Sequence, residues 1–211
     1  MTDGHLPATA SDAAREFLAA VAASDGPRLA RIIAPEVLEA LKADALRDAV
    51  ALARVEAWRR ELGGRRPQAY YITGGPASAA DLAEFAGLPV DRLAGVRTLG
   101  EAAALSETEF LERLVAWAAE RTVSRAAPSE RPPELLPEVV GEVPDGADVA
   151  HVVVRSRRPV EPLRPRVDVL SARRAAGGWV VLPDHLALGA LGRLDILDPP
   201  FGGDEPERPA T

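Results

Sequence analysis

Val149-Ala150-His151-Val152-Val153-Val154-Arg155-Ser156-Arg157 opens a segment that passes a proline-interrupted turn and continues through Arg166-Val167-Asp168-Val169-Leu170-Ser171-Ala172. It ends at Gly177-Gly178-Trp179-Val180-Val181-Leu182. β-Branched residues between turn formers are the pattern of antiparallel strands laid down as a meander. Gly177-Gly178 supplies the positive φ angles of a tight hairpin, and Ala175-Ala176 ahead of it leaves room for a short loop or a bulge. A Trp-Val-Val-Leu strand straight after that turn has to press an apolar side onto helices.

The preceding chain offers those helices. Ala14, Phe17, Leu18 and Val21 recur at helical spacing from Ser11, and Asp25-Gly26 is expected to end that helix. Pro27 and Pro35 each suit a first helical position, where the missing N–H is no loss. The first opens a short stripe of Leu29, Ile32 and Ile33. The second opens a long helix with Leu38, Leu41, Ala45, Leu52, Val55 and Leu62 near one face and Trp58 at its edge, ended by Gly63-Gly64. Ser106-Glu107-Thr108-Glu109 is a capping box, and the apolar face behind it predicts a helix from Glu107 to about Val123. Residues 124–138 carry prolines and charges and predict an irregular connection. Val139–Val143 then predicts a strand, turning at Pro144-Asp145-Gly146.

The middle of the chain is less regular. Tyr70-Tyr71-Ile72 predicts a short strand or packed coil, Ser78 caps a short helix through Phe85, and Pro89–Leu93 offers another turn closed by Gly95. Ala80–Leu93 superficially resembles a helix-turn-helix. A DNA-reading helix needs cationic and amide side chains for phosphates and base edges, and the second helix here would offer Arg92 beside Asp91. A packed helical hairpin inserted beside the core is the better expectation. Helices first and meander second give an α+β fold, with N-terminal helices on a curved antiparallel C-terminal sheet. We expect one cone-like domain over 11–196 with an insertion at about 63–105, and flexible tails at 1–10 and 199–211.

Composition narrows the function classes. The chain has 211 residues, 47% hydrophobic and 27% charged, as in a globular protein with one sizeable core. A net charge of −7 repels phosphate backbones and anionic lipid, so neither nucleic acid nor a membrane surface is an expected partner. The absence of cysteine excludes disulfides, thiolate metal sites and cysteine nucleophiles, and fits a cytoplasmic location. Met1–Pro7 lacks the basic and apolar regions of a secretory signal, and no apolar run approaches the ~20 residues of a membrane span.

The Ser11–Ser24 helix leading into Pro27–Ile33, with strands closing on Gly177-Gly178-Trp179-Val180-Val181-Leu182, resembles the nuclear-transport-factor-2-like cone, also called the cystatin-like α+β fold. The resemblance covers about two-thirds of the chain. It implies a fold used by isomerases, dehydratases, polyketide cyclases and epoxide hydrolases, and also by non-catalytic binding and dimerisation domains. It therefore does not choose a function. Residues 63–105 depart from the short connection usual in that superfamily.

Candidate chemistry is scattered. His151 shares a strand face with Val149, Val153 and Arg155, opposite Ala150, Val152 and Val154. An imidazole there can act as general base, or stand half-exposed on the outer face. Asp168 shares a face with Leu170, where apolar neighbours would raise its pKa and suit proton abstraction. The plainer alternative pairs it with Arg155, Arg166 or Arg173 across the sheet. Tyr70 and Tyr71 can donate to an enolate-like oxygen, or serve as rim residues. The histidines His5, His151 and His185 lack metal-ligand spacing, so no metal is expected; nucleotide-binding glycine motifs are absent, so no cofactor is expected.

Arg155, Arg157, Arg166 and Arg173, among other arginines, make the meander locally basic within an acidic chain. Such a cluster suits carboxylates, on a small molecule or an acidic protein partner, or is balanced by helix carboxylates. The leading expectation is a non-enzymatic accessory or binding protein holding a small ligand in the cone or a protein on the sheet. The alternative is a cofactor-independent isomerase, dehydratase or cyclase using Asp168 or His151. Val152, Val154, Val167 and Val169 suggest sheet-to-sheet homodimerisation.

Overall fold

Side-chain oxygens at the first turns set where the helices begin in the computed structural model, which describes residues 5–61, 77–90, 95–125, 137–156 and 166–183. Thr9 caps α1 (Ala10–Ala23) by accepting from the Asp12 N–H, and Asp25 caps α2 (Gly26–Ile32) by accepting from the Arg28 N–H. α3 follows at Pro35–Glu61, α4 at Ala79–Glu84, α5 at Leu99–Ala104 and α6 at Glu107–Arg125. The Ser106 box forms as expected: its hydroxyl accepts from the Glu109 N–H while Glu109 accepts from the Ser106 N–H.

The meander becomes a four-stranded antiparallel sheet of β1 (Glu138–Asp145), β2 (Val149–Ser156), β3 (Arg166–Ala175) and β4 (Gly178–Leu182), in that spatial order. The fold is α+β, with helices N-terminal and the curved sheet C-terminal. Register places Val154 opposite Asp168, Val152 opposite Leu170 and Ala150 opposite Ala172, which in turn faces Val181. Paired residues share a face, so Ala150, Val152, Val154, Leu170, Ala172, Trp179 and Val181 form one buried inner surface. α1 lies across it, touching all four strands with Ala13, Ala14, Phe17 and Val21 buried, and α2 packs on α1 and α6.

Several expectations are corrected. The arm before α1 is not a free tail in its described part. Trp179 donates its N–H to the Pro7 carbonyl at 2.9 Å, and Ala10 is fully buried. The helix end at Asp25-Gly26 is made instead by Ser24 in the left-handed region (φ 53°), while Gly26 is the first residue of α2. Pro144 and Asp145 belong to β1, and the turn begins at Gly146 (φ 75°). A proline is tolerated there because β1 is an edge strand. On α3 the buried stripe runs Leu38, Leu41, Leu46, Val50 and Ala53, with Ala45 only partly buried. The side chains of Leu52, Val55 and Trp58, and all of Leu62, lie outside the described residues.

Within 63–105, α4 has its Ser78 cap and packs on α5. Pro89 forms an antiparallel bridge with Thr98, not a helical turn. That places Val90, Val96, Leu99 and Ala102 in the common core. Among the described residues no helix is long and apolar enough to cross a membrane.

Candidate functional site

The outer face of the sheet collects most of the residues singled out in the sequence. Alternation turns Val149, His151, Val153 and Arg155 of β2 away from the helices, with Val167, Val169, Ser171 and Arg173 of β3 beside them. Glu138, Gly141, Val143 and Asp145 of β1 complete that face. Val140 is the extra residue of a bulge between Val139 and Gly141. Val140, Val143, Val167 and Val169 are 53–59% exposed, the exposed large apolar side chains among the described residues. This corrects the set expected for a sheet-to-sheet contact. Val152 and Val154 pair with Leu170 and Asp168 and are buried on the inner face.

Paired charges border the valines. Arg155 reaches Glu138 at 2.6 Å, and Arg173 reaches Glu36, in the first turn of α3, at 2.6 Å. Two of the four arginines proposed for an anionic ligand are thus already matched to carboxylates, while their stems lie along the sheet. Arg157 and the Arg166 side chain lie outside the described residues, as do Tyr70 and Tyr71.

His151 sits among the valines. Its Nδ1 is 3.1 Å from Ser171 Oγ and its Nε2 is 3.5 Å from Asp145 Oδ2, a line of three residues crossing β3, β2 and β1. The line was not legible in the sequence because it depends on the β1–β2 register. Chemically it is a serine, an imidazole and a carboxylate in order. The carboxylate side chain is 71% exposed and the imidazole 40%, so water competes for both contacts. Asp168 lies on the inner-face parity, opposite Val154 and half-buried. The two proposed catalytic groups are on opposite faces of the sheet, so they cannot serve one substrate together.

Among the described residues there is no cluster of three or more histidines and carboxylates arranged to hold a metal ion. In comparisons with known proteins, no family model, no curated protein and no solved structure matches the chain.

Proposed function

We propose that the protein is a non-enzymatic binding protein that makes its contacts through the outer face of the sheet, with a second copy of the chain as the first occupant. The observation that carries this reading is the valine group of that face, Val143, Val167 and Val169, with Val140 at the bulge beside it, each more than half exposed. Exposed apolar side chains bordered by paired charges are how protein contact surfaces are composed. A small ligand held in the cone has less support. The described inner face is occupied by α1, and Phe17, Val152 and Val181 are fully buried. α1 leading into the short α2, with α1 laid across a C-terminal antiparallel meander that closes on Trp179, supports a nuclear-transport-factor-2-like cone, although α3 to α6 stand between α2 and the sheet. The acidic, cysteine-free composition supports a cytoplasmic location without nucleic-acid partners.

Val169→Glu tests the reading, because Val169 lies opposite Val153 on the outer face and is more than half exposed. The variant should keep the wild-type circular dichroism and lose chemical cross-linking between copies. Cross-linking that survives the substitution would place the contact elsewhere.

A second reading, catalysis without a cofactor by His151, has one observation in its favour: the Asp145–His151–Ser171 line. It gains nothing from Asp168, which faces the other way. A pH–rate profile that follows His151 and vanishes in His151→Gln would favour it.

A further inference from the structure

The two edges of the sheet are treated differently. The free side of β4 is occupied twice: the Pro7 carbonyl accepts the Trp179 N–H, and the Ala34 N–H donates to the Val181 carbonyl at 3.0 Å beside an Ile33–Val181 bridge. Among the described residues β1 pairs with β2 alone. All of its eight residues except Val139 are exposed. An edge strand with unpaired backbone groups is a template for one more strand.

Charge selects the occupant. β1 carries Glu138, Glu142 and Asp145 and no cation, and the hairpin through Arg155 adds Asp148; Glu142 accepts from the Ser11 N–H and hydroxyl at the start of α1, so Asp145 and Asp148 are the carboxylates most open to a partner. Arg155 is the single arginine or lysine over 138–155, and it is matched to Glu138. Pairing β1 with β1 of a second copy, in full-length antiparallel register, would set Glu138 opposite Asp145. Like charges directly opposite one another disfavour that ladder. Val143 on the outer face and the exposed Val140 of the bulge offer apolar contacts to a neighbouring strand. From the open edge, its carboxylates and these valines, we infer that β1 accepts an extended, lysine- or arginine-rich segment of another protein as a fifth strand, with cations alternating with β-branched residues. The bulge at Val140 and the missing N–H of Pro144 limit the ladder to a short segment and guard against open-ended stacking.

This inference concerns the strand's edge, and the outer-face contact can fail without it. The test uses the full chain and synthetic octapeptides, one alternating lysine with valine and one alternating glutamate with valine, followed by calorimetry and by chemical-shift mapping. The lysine peptide should bind at least tenfold more tightly than the glutamate peptide and shift amides of β1. Asp145→Lys, at an exposed site 3.5 Å from His151 Nε2, should weaken the lysine peptide at least tenfold while leaving the fold intact. Methylating alternate peptide nitrogens should abolish binding in one register and spare it in the other, because alternate N–H groups face the ladder. No binding at millimolar peptide, equal binding of the two peptides, or equal binding of the two methylated registers would overturn the inference. So would a β1–β1 contact between copies.

Discussion

A Cβ added at Gly178 would lie 2.6 Å from Leu6 Cβ and 2.6 Å from the Pro7 carbonyl oxygen, and the backbone there has φ 155°. The glycine is thus required twice, by its own conformation and by the arm that crosses it. Gly178→Ala should destabilise the protein by about 1–3 kcal/mol, read as a lower urea midpoint. Gly141→Ala meets nothing within 4 Å and is the control. The hairpin role of Gly177-Gly178 was legible from the sequence. The arm's approach was not, because it joins residues far apart in the chain. Likewise Gly26, expected to end α1, is glycine because an added Cβ would meet Glu112 Cα of α6 at 2.8 Å. Trp179 is 7% exposed, shares the inner face with Val181 and has the Arg174 guanidinium 5.4 Å from its ring centre. On the outer side of the same strand Val180 is 4% exposed, so both faces of β4 are covered. Trp179→Ala should cost about 3–5 kcal/mol in chemical denaturation. A melting temperature within a degree or two of wild type would contradict its core position.

At the scale of elements, helix starts carry the pH dependence. Hydrogen bonds from the Ser106 N–H and hydroxyl hold the Glu109 carboxyl below the ordinary carboxylate range, and the Ser78 cap does the same for Asp81, aided by Arg54. Glu107 is lowered by its own backbone N–H and by Lys42, whose ammonium also donates to the Leu105 carbonyl at the end of α5. A carboxyl whose pKa falls on folding stabilises the fold above its unfolded pKa and loses that contribution as acid protonates the folded form. The urea midpoint should therefore hold from about pH 8 to pH 6 and decline below roughly pH 4.5. Glu109→Gln should flatten part of that decline; an unchanged acid limb would show that the caps do not cause it. The Ser106 box was legible because a broad apolar face follows it. Thr98-Leu99-Gly100-Glu101 carries the same signal, and Thr98 does cap α5, yet the six residues of Leu99–Ala104 are too short to show a period.

For the whole molecule, strand alternation put His151 on the face opposite Val152 and Val154, and Asp168 with Leu170, but it did not align β2 with β3: Val152 and Val154 were expected to share a face with Val167 and Val169 and lie on the inner one instead. It could not say what fills each side. That depends on α1 crossing all four strands and on the β1–β2 bulge, which brings Val143 onto the outer face and Asp145 within reach of His151. The inner face is filled with protein and the outer face offers valines to solvent; the proposed homodimer covers that outer face with a second copy. Light scattering across low to high micromolar concentration tests it most directly. A homodimer gives a mass approaching twice the 22.3 kDa chain, returning to a single chain in Val169→Glu. A mass of 22.3 kDa for the wild-type protein throughout that range would contradict it.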